Sequence, residues 1–166
     1  MPPVRCGRMT KTSSRAALLH VAIQDLHAGK AAQVERLPAL AEAARDPALK
    51  ALLAAEVERA RAQAARLAEA GGDMGGPANL WMGGILDDAE RDARTHQPGP
   101  LLDVALVGAV RKAKAAEIVS SETAVALARA EGLGAIGAAV AANRAEEVES
   151  DRALKERLGV LTSITS

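Results

Sequence analysis

The chain has 166 residues, 49% hydrophobic and 25% charged, with 21 Lys and Arg balancing 21 Asp and Glu. That length and composition suit one globular domain and exclude a disordered or membrane-spanning chain. Balanced charge also argues against nucleic-acid or acidic-lipid partners, which need a basic excess to displace counterions.

Arg5, Arg8 and Lys11 gather near the start, so residues 1–12 are expected to be a flexible basic tail. Cys6 is the only cysteine. It rules out an intramolecular disulfide and a cysteine metal motif, and a reducing cytoplasm is the simplest setting. The apolar run over 16–23 is interrupted by His20 and followed by no small-residue cleavage site, so no signal peptide is expected. There is no Phe or Tyr and a single Trp81, while alanine makes up roughly a quarter of the chain, a balance that favours helix over strand. The fold class read from this is all-α.

Ser13 or Ser14 can cap a first long helix whose stripe is Leu19, Ile23, Leu26, Lys30, Val34 and Leu37. Pro38 lies inside it and predicts a kink, not a stop. Asp46-Pro47 supplies an N-cap and a first helical proline for a second helix over 47–70, ended by Gly71-Gly72. Its inward face reads Leu49, Leu53, Glu56, Ala60, Gln63, Leu67. After a glycine-rich connector, 71–77, a short helix over 78–95 carries Leu80, Trp81, Ile85 and Leu86 on one side and charges on the other.

Gln97-Pro98-Gly99-Pro100 turns the chain into a third long helix, 100–131, with the stripe Leu102, Leu106, Ala109, Ala113, Glu117, Ser120, Ala124, Leu127, closed by Gly132. In the fourth, 135–158, a stripe through Ile136, Val140, Asn143, Glu147, Leu154 and Leu158 competes with one through Val148. Residues 159–166 are expected to fray. Four long helices, paired by short turns and joined by a long middle connection, describe a crossover four-helix bundle with a short extra helix between helices two and three, its domain spanning 13–158.

Each stripe meets a polar group near mid-helix: Lys30, Glu56 with Gln63, Glu117, and Glu147. A buried carboxylate without a cation costs several kcal/mol, so a compensating charge is required. Facing carboxylates in a bundle commonly hold two metal ions, with Glu-x-x-His completing the ligand set, but no Glu-x-x-His occurs here. The leading expectation is a metal-free salt-bridge centre of Lys30, Glu56, Gln63 and Glu117, with Lys30 paired to Glu117 or Glu56. An assembled metal site and solvent-exposed stripes are the alternatives. No catalytic residue is expected. Ser120, Ser121 and Thr123 have no histidine to activate them, and Gly71–Gly76 lacks the strand and the Gly-Lys-Ser/Thr ending of a phosphate loop. Neighbouring glutamates would keep Lys30 charged rather than nucleophilic.

Gln24-Asp25-Leu26, then Leu37-Pro38-Ala39-Leu40-Ala41-Glu42-Ala43-Ala44, then Pro47-Ala48-Leu49-Lys50 with Gln63 and Arg66-Leu67, and finally Gly99-Pro100-Leu101-Leu102-Asp103-Val104-Ala105-Leu106 leading to Glu117-Ile118, resemble the YciE/YciF-type ferritin-like family, bacterial stress-associated proteins. The resemblance covers about residues 18–158 and implies a ferritin-like bundle. It also implies that Lys30 stands where the family has a metal-binding glutamate, and His27 where an aromatic precedes it. Glu56 stands for a histidine, and Lys114-Ala115-Ala116-Glu117 for a Glu-His-Tyr-Glu stretch. An acidic run, Glu146, Glu147, Glu149 and Asp151, is retained.

Two functions follow. One is a stress-associated structural or interaction protein with a degenerate metal site and no cofactor, forming a homo-oligomer, a dimer by preference, through an Ala-rich helix face. The other is an iron- or manganese-binding oxidoreductase using Glu56, Glu117 and Glu147 or Glu149.

Overall fold

The computed structural model describes residues 11–163. It holds five helices: α1 (Arg15–Ala43), α2 (Pro47–Gly71), α3 (Leu80–Thr95), α4 (Pro100–Ala130) and α5 (Gly134–Ser163). No strand occurs among the described residues, and no helix there is long and apolar enough to cross a membrane. The tail expected over 1–12 lies almost wholly outside the described residues.

The starts are set by side-chain caps. Ser14 accepts from Ala17 N–H, Asp46 from Leu49 N–H and Asn79 from Met82 N–H, each satisfying a donor that the first helical turn leaves free. α4 starts instead with Pro100 in its first turn after Gly99, whose φ of 147° favours glycine. The α4–α5 turn passes through Gly132 at φ 68°, with Leu133 N–H donating to the Ala128 carbonyl and Gly132 N–H to that of Arg129.

α1 packs on α2 and α4 on α5 as two hairpins, and the hairpins meet along the α1–α4 and α2–α5 seams. The connection through α3 therefore crosses between diagonal helices, and α3 lies on α1 and α4. Asp103 fixes one end, since its two carboxylate oxygens accept the N–H groups of Arg45 and Asp46 at 2.8 and 2.9 Å.

The core is split in two. One apolar cluster joins Leu37, Leu40, Leu49, Leu53, Leu106, Val110 and Leu154 with Met82 and Leu86 of α3. The other joins Leu19, Ile23, Leu26, Leu67, Ala124, Ile136 and Val140. The polar mid-helix residues lie between them.

Several expectations change. α5 does not fray at 159. It runs to Ser163, because Leu161 is buried and continues the face of Leu154, while the Thr162 and Ser163 hydroxyls bond back to the carbonyls of Leu158 and Gly159. The α5 stripe is the one through Glu147, and Val148 is exposed. On α1 the buried position after Lys30 is Gln33, not Val34; on α4, Ser121 and Ala128 are buried where Ser120 and Leu127 were expected. On α3, capping at Asn79 turns Met82, Leu86 and Ala89 inward and leaves Leu80 exposed. α1 continues through Pro38, which sits on its exposed side.

Candidate functional site, a buried ion-pair centre

At the middle of the bundle, Lys30 and Gln33 from α1, Glu56 from α2, Lys114 and Glu117 from α4, and Glu147 and Ser150 from α5 are each at most 3% exposed. Each lies on the inward face of its helix, within two turns of a buried apolar residue on the same face, so the turns that bury leucine, valine and alanine also carry these groups inward.

Lys30 Nζ lies 2.6 Å from Glu117 Oε1 and 2.9 Å from Glu147 Oε1. Lys114 Nζ lies 2.7 Å from Glu147 Oε2, 2.6 Å from Glu56 Oε2 and 3.5 Å from Glu117 Oε2. Glu117 and Glu147 thus bridge the two ammonium groups, and Glu56 is held by Lys114 alone of the pair. The Gln33 side chain ties the halves, donating to Glu117 Oε1 at 2.7 Å and accepting from Lys114 at 3.3 Å. Ser150 Oγ donates to Glu56 Oε1 at 2.5 Å, and the half-buried Arg59 guanidinium pairs with the same oxygen. Three carboxylates are therefore matched by two ammonium groups and one guanidinium.

Charge separation sets the proton affinities. Burial pushes the Glu117 carboxyl above the usual carboxylate range, against the pull of Lys30 and Lys114. For Glu147 burial acts the same way, but attraction to Lys114 and Lys30 outweighs it and the carboxyl sits well below that range. For Lys114 burial favours the neutral amine, yet Glu117, Glu147 and Glu56 together hold its pKa above that of an ordinary lysine.

The sequence expectation is partly corrected. Lys30 pairs with Glu117 as expected and with Glu147, but not with Glu56, which the α4 lysine holds instead. Gln63 is buried but lies in a neighbouring polar layer, donating to Glu146 Oε2 at 2.9 Å while Arg66 bridges Glu146 and Asn143. Glu149 points to solvent and pairs with Arg152, so it is not a member of the centre. Lys114, Gln33 and Ser150 were not anticipated. A wider stripe would have found Lys114, because positions three and four after Val110 both face inward on a helix buried from two sides. Among the described residues, no group of three or more His, Cys, Asp or Glu is placed to hold a metal ion.

The family profile described as a domain of unknown function, DUF892, matches residues 14–164. Among solved structures, the E. coli stress protein YciF superposes with a TM-score of 0.88 at 19% identity, covering 93% of this chain and 100% of that one. YcfI from Rhodopseudomonas palustris superposes with a TM-score of 0.83 at 22% identity, covering 89% and 97%. At these identities the likeness establishes the fold. A comparison with curated protein sequences finds no match. The chain belongs to the DUF892 family of YciE/YciF-type proteins.

Proposed function

We propose that this chain is a stress-associated bundle protein in which two lysines have replaced the di-metal centre expected of a ferritin-like fold, leaving it to act as a structural or interaction protein. The observation that supports this reading is the pair Lys30 and Lys114, whose Nζ atoms lie 2.6–3.5 Å from oxygens of Glu56, Glu117 and Glu147. The donor set does not fit a metal ion, because the oxygens available as ligands already face ammonium groups and a further cation would be repelled by both. The stress association rests on the likeness to the E. coli stress protein, and the structural role accords with the Rhodopseudomonas palustris protein, itself put forward as a structural protein.

A cytoplasmic homo-oligomer, a dimer by preference, is part of the proposal, with no cofactor. Elemental analysis of protein purified without chelators, followed by gel filtration, tests both parts. A particle larger than one chain with no stoichiometric iron, manganese or zinc is the expected result. A retained ratio of about two metal ions per chain, as in dinuclear carboxylate proteins, would instead support the iron- or manganese-binding reading.

A further inference from the structure

α3 is attached to the bundle differently from the other helices. It buries Met82, Leu86 and Ala89, whereas α4 buries twelve residues. Beneath α3, the side chains of Gln33, Leu37, Leu86, Ala89, Val110 and Ala113 line one closely packed seam with no room for a water molecule. With three buried residues among its 16, against twelve among the 31 of α4, apolar burial holds α3 less firmly than its length suggests.

Charge holds it instead. Arg36 of α1 donates through Nε to Glu90 at 2.7 Å, through Nη2 to Asp87 at 2.6 Å and through Nη1 to the Gly83 carbonyl at 3.4 Å. The Arg36, Asp87 and Glu90 side chains are 21%, 75% and 32% exposed, within reach of salt. At its N-terminal end α3 is pinned to Asp25, whose carboxylate accepts from Trp81 Nε1 and whose backbone carbonyl accepts from the Asn79 amide, both at 2.9 Å. Glycines at positive φ, Gly72 and Gly99, stand in the connections on either side.

Under this helix lies a side chain that reaches the ion pairs. Gln33 lines the seam beneath Leu86 and Ala89 and bonds both Glu117 and Lys114. We propose that α3 is a cover, hinged at its Asp25 anchor and latched by Arg36, whose separate opening admits solvent and small solutes to the buried centre through Gln33. The cover serves the centre whether its cations are ammonium groups or metal ions, so this inference does not depend on the proposed function.

Native-state hydrogen exchange read by NMR tests it on the full chain. The amides of α3 beyond Leu86 should exchange through an opening that leaves mid-α4 amides protected, and the Gln33 side-chain amide protons should exchange together with α3. Raising sodium chloride should speed exchange in α3 and at Gln33 and leave α4 unchanged. Arg36→Gln should speed both by about tenfold, with α4 amides changing much less. Arg36→Lys, which keeps the charge without the two-pronged geometry, should fall between. Equal exchange of α3 and α4 amides in the parent, equal acceleration of both by Arg36→Gln, or Gln33 protons that follow α4 would each overturn the proposal. The salt series keeps the test decisive if the variant folds poorly.

Discussion

Lys30 and Lys114 share one carboxylate: Glu147 presents Oε1 to Lys30 Nζ at 2.9 Å and Oε2 to Lys114 Nζ at 2.7 Å. Glu117 repeats the arrangement at 2.6 and 3.5 Å. Two ammonium groups bridged by two carboxylates make the centre a single network, so removing either lysine exposes charge on both acids.

Truncating Lys30 to Ala is expected to cost on the order of 3–5 kcal/mol, because Glu117 and Glu147 each lose a buried partner. Combining Lys30→Met with Glu117→Leu should cost less than the sum of the separate changes, with a coupling above about 1 kcal/mol in a double-mutant cycle. Denaturant melts measure it. A Lys30→Ala variant that unfolds at the parent midpoint would contradict the buried geometry.

Lys114→Ala is expected to destabilise more than Lys30→Ala, since Lys114 faces three carboxylates and Lys30 two. Thermal unfolding followed by circular dichroism gives the order directly.

From the sequence alone, Lys30→Glu should recruit a divalent ion by restoring the family's residue type. The structure changes that expectation, because Lys114 remains among the same oxygens. Lys30→Glu alone should gain nothing from manganese. Lys30→Glu with Lys114→Ala should gain about 5–10 °C in Tm at manganese a hundredfold above its Kd. Stabilisation of the single variant to the same extent would show that Lys114 does not exclude metal.

The pH dependence has opposing parts. Attraction to Lys114 and Lys30 lowers the Glu147 carboxyl despite burial, and the Arg157 hydrogen bond lowers that of Asp46. Both therefore stabilise the fold above their ordinary values of 4.5 and 3.8, and lose that contribution as pH falls below them. Glu117 runs the other way: raised by burial, it binds a proton more readily in the folded chain, so its contribution grows as pH falls toward 4.5. The stability of the parent relative to Glu117→Gln should accordingly rise between neutral pH and pH 4.5. At the alkaline end, Lys114 contributes fully below 10.5 and its stabilisation is lost as pH climbs from there through its higher folded value. Urea midpoints across pH for both proteins check each sign.

Asp103→Ala should cost about 1–3 kcal/mol by leaving the Arg45 and Asp46 N–H groups without their acceptors. Hydrogen exchange at those two amides should quicken more than at mid-helix positions.

The sequence by itself determined the helical fold and most of its boundaries, because capping and termination are local. Ser14, Asp46, Gly99 and Gly132 each act within a turn of the helix end they mark, and alanine with leucine leaves no competing strand. It also identified Lys30, Glu56 and Glu117 as inward, since the 3.6-residue period places a side chain on a face without knowledge of what lies opposite, and left Glu147 on one of two competing stripes. Only the tertiary structure decided the pairing. Which carboxylate meets which ammonium depends on the axial offset and rotation of four helices, quantities that no single helix encodes. Lys114 and Gln33 escaped for the same reason: a helix contacted on two sides buries a broader arc than one narrow stripe, and its extra members become visible only when the neighbouring helices are in place.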